Sequence, residues 1–519
     1  MQALKLPDAL PKILARNAID TACAQPFDIR IEGESAMPSA KRHTPGTQQP
    51  NILFIITDQM RGDCMSCAGH PVVETPNLDM LAARGTLFTA SYSSCPSCIA
   101  ARASLFTGLS PSSHGRLGYR DCVPWRYTDT LPSLLGQAGY QTHCVGKTHF
   151  FPQGAHLGFQ SIESYEGNQN FDGRFVNDYF EWLRERTNGR LAETDHGVDW
   201  NSWCARPSHL PEELHNNTWV VTRGLEFLRR RDSTRPFFLN LSFHRPHAPV
   251  DPPQAFFDLY KDRTDIPIPR GDWADGYNTP ATDVNAWFGR VPDHPLRRLR
   301  LAYYAQVSHI DNQIGRFLMA MSTLRLGPTW IVFTSDHGEM LGDHDLFRKT
   351  YAYEGSAHTP LIITPPTSAI QHRCMAPVIQ QDLMPSMLDM AGVKIPRSIE
   401  GHSVLPLLSR TPAQARWQPF VHGEHSACYA THNAMQYLTD GQDKYVWHPV
   451  TGKEELFNLA QDPCELHNEA GDRPARDRLD SWRKRLIAIF KQRPQDKLTN
   501  GKRLLPGRPL PSVRPQLLE

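Results

Sequence analysis

The sequence predicts an α/β fold: a large, mostly parallel (mixed) sheet sandwiched by helices, followed by a smaller C-terminal α+β subdomain built on an antiparallel sheet. Three observations predict it. Unbroken apolar runs of strand length recur along the chain, helical segments lie between them, and short alternating runs begin beyond about residue 415. Apolar runs without alternation are typical of strands buried on both faces of a parallel sheet.

Four strands of the main sheet are predicted, three from largely apolar runs and one, at residues 141–145, from a short mixed segment that follows a helix stop. They lie at residues 51–57, 141–145, 237–243 and 330–334. Each run ends directly before polar or charged residues. Because ligands of open α/β sheets bind outside the carboxyl ends of the strands, we expect the four ends to converge on one site.

Helices are predicted where a start signal and a stop signal enclose helical spacing. One runs from Thr75-Pro76 to Gly85, since a capping residue followed by proline begins a helix and glycine ends one. Another covers about residues 130–138. The stretches 152–235 and 252–300 show no clear period, and we predict loops there that shape a pocket.

The short alternating runs near the C-terminus predict a hairpin, with strands at residues 436–439 and 444–448 around Asp440-Gly441. A helix is predicted near residues 476–492, and the final 27 or so residues form either a docked arm or a disordered tail. Three segments result: an N-terminal extension or linker at 1–48, a main α/β domain at 49–415, and a C-terminal subdomain at 416–519.

Composition excludes several classes of protein. Lys and Arg total 55 against 54 Asp and Glu, and no long run carries one sign, so we expect neither nucleic-acid nor membrane binding. Residues 1–48 hold no apolar core of about 7–15 residues before a cleavage site, which predicts a cytoplasmic protein. The 11 cysteines are few and odd in number, so most are expected to be reduced.

Two cysteine pairs, Cys64-x-x-Cys67 and Cys95-x-x-Cys98, look like halves of a structural zinc site. The gap between the pairs exceeds the roughly 15–20 residues of zinc ribbons. We therefore expect Cys64, Cys67 and Cys95 to be buried thiols or loop residues.

Cys98 opens a run of helical composition that ends at Gly108. A helix beginning there places its positive dipole end at the Cys98 side chain, and Arg102 lies one turn later on the same face. An activated group beside a fixed guanidinium suits attack on an oxyanion ester, where charge develops on the nonbridging oxygens. On its own, the pattern also fits an ordinary core cysteine.

Residues 98–108 resemble the signature of type I (formylglycine-dependent) sulfatases, in the alkaline phosphatase superfamily. That signature usually reads Cys-x-Pro-Ser-Arg, and Ala100 and Ala101 take the Pro and Ser places here. The resemblance spans roughly residues 49–470. It includes the first strand with Asp58, Thr75-Pro76-Asn77-Leu78-Asp79, Gly146-Lys147-x-His149, Pro246-His247, Ser335-Asp336-His337-Gly338, Lys349 and Glu455-Leu456-Phe457-Asn458-Leu459-x-x-Asp462-Pro463.

The family resemblance implies that a maturation enzyme converts Cys98 to formylglycine, whose hydrate attacks the sulfur of the ester. It also implies one divalent cation, usually Ca²⁺, bound by Asp58, Asp336, His337 and the modified residue 98. Gln59 stands where many sulfatases have a second Asp, and it either ligates through its amide oxygen or does not ligate. Fewer carboxylates together with a histidine would favour Mn²⁺.

Four basic residues correspond to the family's sulfate pocket. The resemblance implies that Lys147 and Lys349 neutralise the ester oxygens, while His247 and Lys349 stabilise or protonate the leaving oxygen. His149 would take a proton when the intermediate collapses, and Arg102 would orient the hydrate. Of six further polar residues, Asp311 is expected to be structural and the others to line the rim of the pocket: His244, Arg245, Asp311, His344, His422 and His425.

The predicted function is therefore hydrolysis of a small-molecule sulfate ester, of aryl or sugar type, by an arylsulfatase-like enzyme. One alternative is a phosphonate monoester or phosphodiester hydrolase, but the phosphonate hydrolases of this superfamily carry Tyr and Thr where Lys147 and His149 stand. A second alternative is a non-catalytic homologue that only binds an anion. The Pro-rich C-terminal arm would suit a subunit contact in a homo-oligomer.

Overall fold

The computed structural model of the protein describes residues 49–171, 173–367, 371–409 and 417–518. Within these residues the strands are β1 (Asn51–Asp58), β2 (Thr86–Phe88), β3 (Ser91–Tyr92), β4 (Gln141–Gly146), β5 (Ser161–Ser164), β6 (Phe237–Pro246), β7 (Thr329–Ser335), β8 (Leu361–Thr364), β9 (His372–Cys374), β10 (Val378–Ile379), β11 (Val421–His425), β12 (Met435–Thr439), β13 (Asp443–Trp447) and β14 (Glu454–Asn458). The α-helices are α1 (Pro76–Ala83), α2 (Cys98–Thr107), α3 (Pro111–His114), α4 (Leu131–Gln137), α5 (Asp178–Thr187), α6 (Asn216–Arg230), α7 (Gln254–Asp258), α8 (Asp293–Thr323), α9 (Glu354–Ala357), α10 (Leu383–Met390) and α11 (Arg476–Lys491).

Two predictions about domain organisation stay predictions. The N-terminal extension, residues 1–48, and the boundary at residue 415 both lie outside the described residues.

An eight-stranded sheet has the order β5-β4-β6-β1-β7-β8-β2-β9. Strands β5, β4, β6, β1 and β7 run parallel, whereas β8 is antiparallel to both of its neighbours. The four strands predicted from the sequence are β4, β6, β1 and β7, which lie side by side. The predicted large, mostly parallel mixed sheet is therefore confirmed.

Strand β1 shows why the apolar runs are unbroken. Leu53 and Ile55 belong to one hydrophobic core, which includes residues of helices α1, α6 and α8. Their neighbours Ile52 and Phe54 belong to a second core, which includes residues of helices α2, α4 and α10. Burying each such side chain stabilises the fold by about 1.5–3 kcal/mol, so alternate positions have no reason to be polar.

The C-terminal residues form the predicted antiparallel sheet, in the order β11-β12-β13-β14, with helix α11 beside it. Phe490 of α11 lies 5.8 Å from Trp447 of β13 between ring centroids. The end of the chain is a docked arm, because the amide of Leu117 donates to the carbonyl of Ser512 over 2.8 Å. Of the two alternatives predicted for the final residues, a docked arm or a disordered tail, the structure shows the docked arm.

The prediction of loops at 152–235 and 252–300 is wrong in part, because helices α5 and α6 lie in the first stretch and α7 with the start of α8 in the second. Helix α6 carries several β-branched residues and Gly224, all of which weaken the local helix signal. Close packing against the sheet explains the glycine at this position, since a Cβ at Gly224 would meet the side chain of Leu241 in β6.

Helix α8 is 31 residues long. Across the ranges that the structure describes, no helix combines the length and the apolar character needed to cross a membrane.

Candidate active site

The carboxyl ends of the four central strands meet, as predicted. Strand β1 ends in Asp58, Lys147 follows β4, His247 follows β6, and Asp336 follows β7. Beside them is a cavity of about 400 Å³. Its lining includes Cys98, Tyr119, Lys147, His149, Glu166, Trp200, His244, His247, Arg348, Lys349 and Tyr429.

Four ligand-type side chains form a buried cluster at these ends. The candidate ligand atoms of Asp58, Cys98, Asp336 and His337 all lie within 4.8 Å of one another. Cys98 Sγ is 3.2 Å from Nε2 of His337 and 3.6 Å from Oδ1 of Asp58. His337 donates from Nδ1 to the carbonyl of Gly338 over 2.8 Å, which leaves the Nε2 lone pair facing the cluster. Burial lowers the pKa of His337, so the ring is neutral, as a metal ligand must be.

Arg102 is placed by helix α2, whose first residue is Cys98. Its guanidinium is fully buried and donates from Nε to Oδ2 of Asp336 over 2.9 Å. A second nitrogen, Nη1, donates to the carbonyl of Lys147 over 2.8 Å and to the hydroxyl of Ser242 over 2.9 Å. Arg102, one helical turn after Cys98, therefore connects helix α2 to the ends of β4 and β7 and to β6 between them.

Lys147 forms an ion pair with Asp58 through Nζ and Oδ2. Burial raises the pKa of Asp58, but Lys147 and the neighbouring basic groups outweigh it and hold that pKa well below its usual range. Gly146, with φ of 106°, allows the chain to turn here, since a Cβ would collide with the carbonyl oxygen of Ser242. The Gly-Lys pair in the sequence thus reflects a close approach between β4 and β6.

His149 has left-handed backbone geometry, with φ of 60°. Its amide donates to both oxygens of Glu166 at 3.0 Å, and its Nε2 lies 3.4 Å from Oδ1 of Asp121. Burial lowers the pKa of His149, but the hydrogen bond to Asp121 helps to raise it, and the pKa is raised overall. Asp121 and Glu166 carry no motif in the sequence, and only the folded loops bring them to His149.

His247, Lys349 and Gln59 form a chain of hydrogen bonds. His247 donates from Nδ1 to the carbonyl of Ala248 over 2.7 Å, so its Nε2 accepts from Lys349 Nζ over 2.9 Å. Lys349 Nζ also donates to Oε1 of Gln59 over 2.7 Å. The amide nitrogen of the Gln59 side chain donates to Glu339, which sequence reasoning missed.

The Gln59 side chain is therefore directed toward Lys349 and Glu339. Its backbone amide, with φ of 71°, donates to Oδ1 of Asp336 over 3.1 Å. The role of Gln59 as a metal ligand stays a prediction.

Of the residues predicted at the rim, His244 lines the cavity, while the lining does not include Arg245, His344, His422 or His425. Asp311 is structural, as expected, because it accepts from the amides of Asn77 and Leu78 at the start of α1.

Cys64, Cys67 and Cys95 are free thiols outside the four-residue cluster, and among the described residues that cluster is the one metal-type grouping. The zinc alternative gains no support.

Comparisons with known proteins agree with this geometry. The family model described as Sulfatase matches residues 50–393, and the one described as N-sulphoglucosamine sulphohydrolase, C-terminal, matches residues 342–492. The chain is 41% identical over 484 residues to an arylsulfatase of Clostridium perfringens, covering 90% of this chain and 99% of that relative.

Two solved structures share the fold. One is a phosphonate monoester hydrolase of Agrobacterium radiobacter, with a TM-score of 0.72, 24% identity, and coverage of 85% of this chain and 96% of that one. The other was solved in complex with its substrate D-glucosamine-2-N,6-O-disulfate, with a TM-score of 0.69, 22% identity, and coverage of 86% and 99%. The resemblance seen in the sequence is confirmed: the chain belongs to the sulfatase family and is a sulfuric ester hydrolase.

Proposed function

We propose that the chain hydrolyses a sulfate monoester of an aromatic or sugar alcohol, with a formylglycine hydrate derived from Cys98 as the nucleophile. One observation carries the proposal: Asp58, Cys98, Asp336 and His337 lie within 4.8 Å of one another beside a cavity lined by basic side chains. An anionic ester entering this cavity would meet lysine ammonium groups next to the residue at position 98.

The cluster fits a divalent metal ion. Two buried carboxylates and an imidazole with a free lone pair are suitable donors, and residue 98 would add one oxygen after conversion. When bound, the ion would lower the pKa of a hydrate hydroxyl and orient it. Calcium is our first expectation, since Asp58 and Asp336 offer hard oxygen ligands, and the His337 nitrogen also suits Mn²⁺.

The chain's own residues position the ester and move its protons. Lys147 and Lys349 would neutralise the charge on the nonbridging oxygens. Lys349 Nζ, held between His247 and Gln59, would stabilise or protonate the leaving oxygen together with His247. His149, held by its hydrogen bond to Asp121, would accept a proton from the second hydroxyl of the hydrate.

The proposal needs a partner, a formylglycine-generating enzyme in the same cell. A cytoplasmic location and a homo-oligomeric state remain predictions from the sequence.

Initial rates on a matched aryl sulfate and aryl phosphonate monoester test the proposal. The enzyme should be produced with a formylglycine-generating enzyme, and mass spectrometry of the peptide containing residue 98 should establish conversion. We expect the sulfate to be strongly preferred and a Cys98→Ala variant to be inactive. A preference for the phosphonate would contradict the sulfatase assignment, and unconverted Cys98 in a competent host would favour the anion-binding homologue. If fully converted enzyme rejects both aryl esters, a panel of sugar sulfates decides between the two substrate classes.

A further inference from the structure

The active-site cavity is lined by a third cation, Arg348, directly before Lys349. Its backbone is left-handed, with φ of 70°, and its amide donates to the carboxylate of Glu339. That carboxylate also accepts from the Gln59 side chain, which in turn accepts from Lys349. The backbone that carries Arg348 is thus anchored to the network that holds Lys349.

Among the described residues, the half-buried guanidinium of Arg348 and the ammonium group of Lys349 have no acidic partner, unlike the cations of Lys147 and Arg102. Lys147 is paired with Asp58, and Arg102 with Asp336. Within the described part of the chain, Arg348 forms no ion pair with a carboxylate; it donates to the carbonyl of Asn285, and its Nε is buried without a partner. A guanidinium offers five N–H donors, so most of its hydrogen-bonding capacity is unused.

Stacking holds the guanidinium in place. Its carbon lies 5.5 Å from the ring centroid of Tyr429, which also lines the cavity. Tyr429 stacks on Trp287 at 5.8 Å with an interplanar angle of 16°. A planar fork fixed on an aromatic ring loses little side-chain entropy when it binds a carboxylate or a sulfate.

The charge of the cavity exceeds what one sulfate ester needs. Lys147 is neutralised by Asp58, but Arg348 and Lys349 add two cations that have no carboxylate partner among the described residues, and Glu166 is the only carboxylate in the described lining. The oxygens of Glu166 already accept from the amides of Thr148 and His149. A sulfate monoester group carries a single negative charge, so a second anion on the substrate could be accommodated.

We propose that Arg348 determines specificity by binding a second anionic group, a carboxylate or another sulfate, on the alcohol of the substrate. The inference rests on the proposed function and narrows it: acidic aryl or sugar sulfates are the preferred substrates. Esters of cationic alcohols such as choline are disfavoured, since their ammonium group would lie near an unpaired guanidinium.

The test compares 2-, 3- and 4-carboxyphenyl sulfate, each with its methyl ester, on converted enzyme. For the isomer that reaches Arg348, the acid-over-ester ratio of kcat/KM should fall roughly 10- to 100-fold in Arg348→Gln, the range expected for a hydrogen bond to a charged group. Arg348→Lys should keep much of the ratio. The methyl esters are the matched control, because damage to the loop lowers their rates and those of the acids alike.

Binding to unconverted Cys98→Ala protein gives a readout that needs no turnover. Calorimetric Kd values for the acids and their methyl esters are measured with and without Arg348→Gln in that background. The inference is overturned if Arg348→Gln leaves the preference for the acid over its methyl ester unchanged for all three isomers, both in kcat/KM and in Kd. If binding discriminates through Arg348 but converted wild-type enzyme hydrolyses no sulfate, the proposed function fails and the anion-binding role of Arg348 stands.

Discussion

Arg102 donates from Nε to Oδ2 of Asp336 across 2.9 Å, and both side chains are fully buried. Helix α2 supplies the guanidinium, and the residue after strand β7 supplies the carboxylate. The pair therefore fastens the helix that begins at Cys98 to the centre of the sheet. Removing one member would leave an uncompensated charge in the interior.

Replacing Arg102 by alanine should lower the free energy of unfolding by about 3–5 kcal/mol, the usual cost of breaking a buried ion pair. Urea unfolding measures it. The exposed Arg184, which pairs with Glu181, offers a matched control: Arg184→Ala should leave the unfolding midpoint almost unchanged. An Arg102→Ala protein as stable as the wild type would mean that the buried pair contributes nothing to the fold.

Divalent metal should stabilise the protein. Ca²⁺ or Mn²⁺ added to chelator-treated enzyme is expected to raise Tm. At a free metal concentration of about one hundred times the Kd, the free energy of unfolding should rise by about 2.7 kcal/mol. Asp336→Asn should lose most of that gain, because it removes a carboxylate from the cluster. Differential scanning calorimetry measures both. A Tm that no divalent ion moves, in converted as well as unconverted protein, is the outcome that argues against a metal site.

Gln59→Asn separates two roles for this side chain. Asparagine is one methylene shorter, so it should lose the hydrogen bonds to Lys349 and Glu339 while its backbone amide still donates to Asp336. We expect kcat/KM to fall roughly 10- to 100-fold, as for a buried polar group left without its partner.

The metal Kd then decides how Gln59 acts. An unchanged Kd, measured by titration of the chelator-treated protein, means that the side chain positions Lys349. A Kd weakened together with kcat/KM supports the role of metal ligand instead. Glu339→Gln is the matched variant, because it should lower kcat/KM through Gln59 without removing any candidate ligand.

Much of the fold could be predicted from short local patterns. The largely apolar runs at β1, β6 and β7 follow from the burial of both faces of these strands, so each of these strands carries a local sequence signal. Helix α6 does not, since its β-branched residues and Gly224 are chosen for packing against β6 and not for helix propensity. Tertiary contacts that override local preference leave no local signal.

The candidate site divides in the same way. Residues at strand ends, such as Asp58 and Lys147, could be singled out because topology brings strand ends together. Asp121, Glu339 and Arg348 could not. They lie in loops, and their relevance comes from contacts with His149, Gln59 and the cavity that only the folded chain defines.

Acid should weaken the C-terminal subdomain through one buried pair. Arg493 binds both oxygens of Glu424 at 2.9 and 2.8 Å, joining the chain after α11 to strand β11. Burial raises the pKa of Glu424, but Arg493 outweighs it, and the pKa falls from 4.5 to about 2. A carboxyl whose pKa is lower in the folded state stabilises the protein above its unfolded pKa. Its contribution, about 3 kcal/mol, is therefore present at neutral pH and lost as the pH falls from about 5 toward 2.

The measurement compares wild type with Glu424→Gln by urea unfolding across this pH range. At neutral pH the variant should be less stable, because the buried Arg493 loses one of its two anionic partners and keeps only Asp496. The difference between the two proteins should shrink as the pH falls from about 5 toward 3, because Glu424 then takes up a proton in the unfolded chain while it stays largely ionised in the folded protein, where its pKa is about 2. Glu181→Gln, at an exposed pair, controls for the general loss of carboxylate charge. A wild-type-to-variant difference that stays constant from pH 6 to pH 3 would show that the Glu424–Arg493 pair does not set the acid stability of the subdomain.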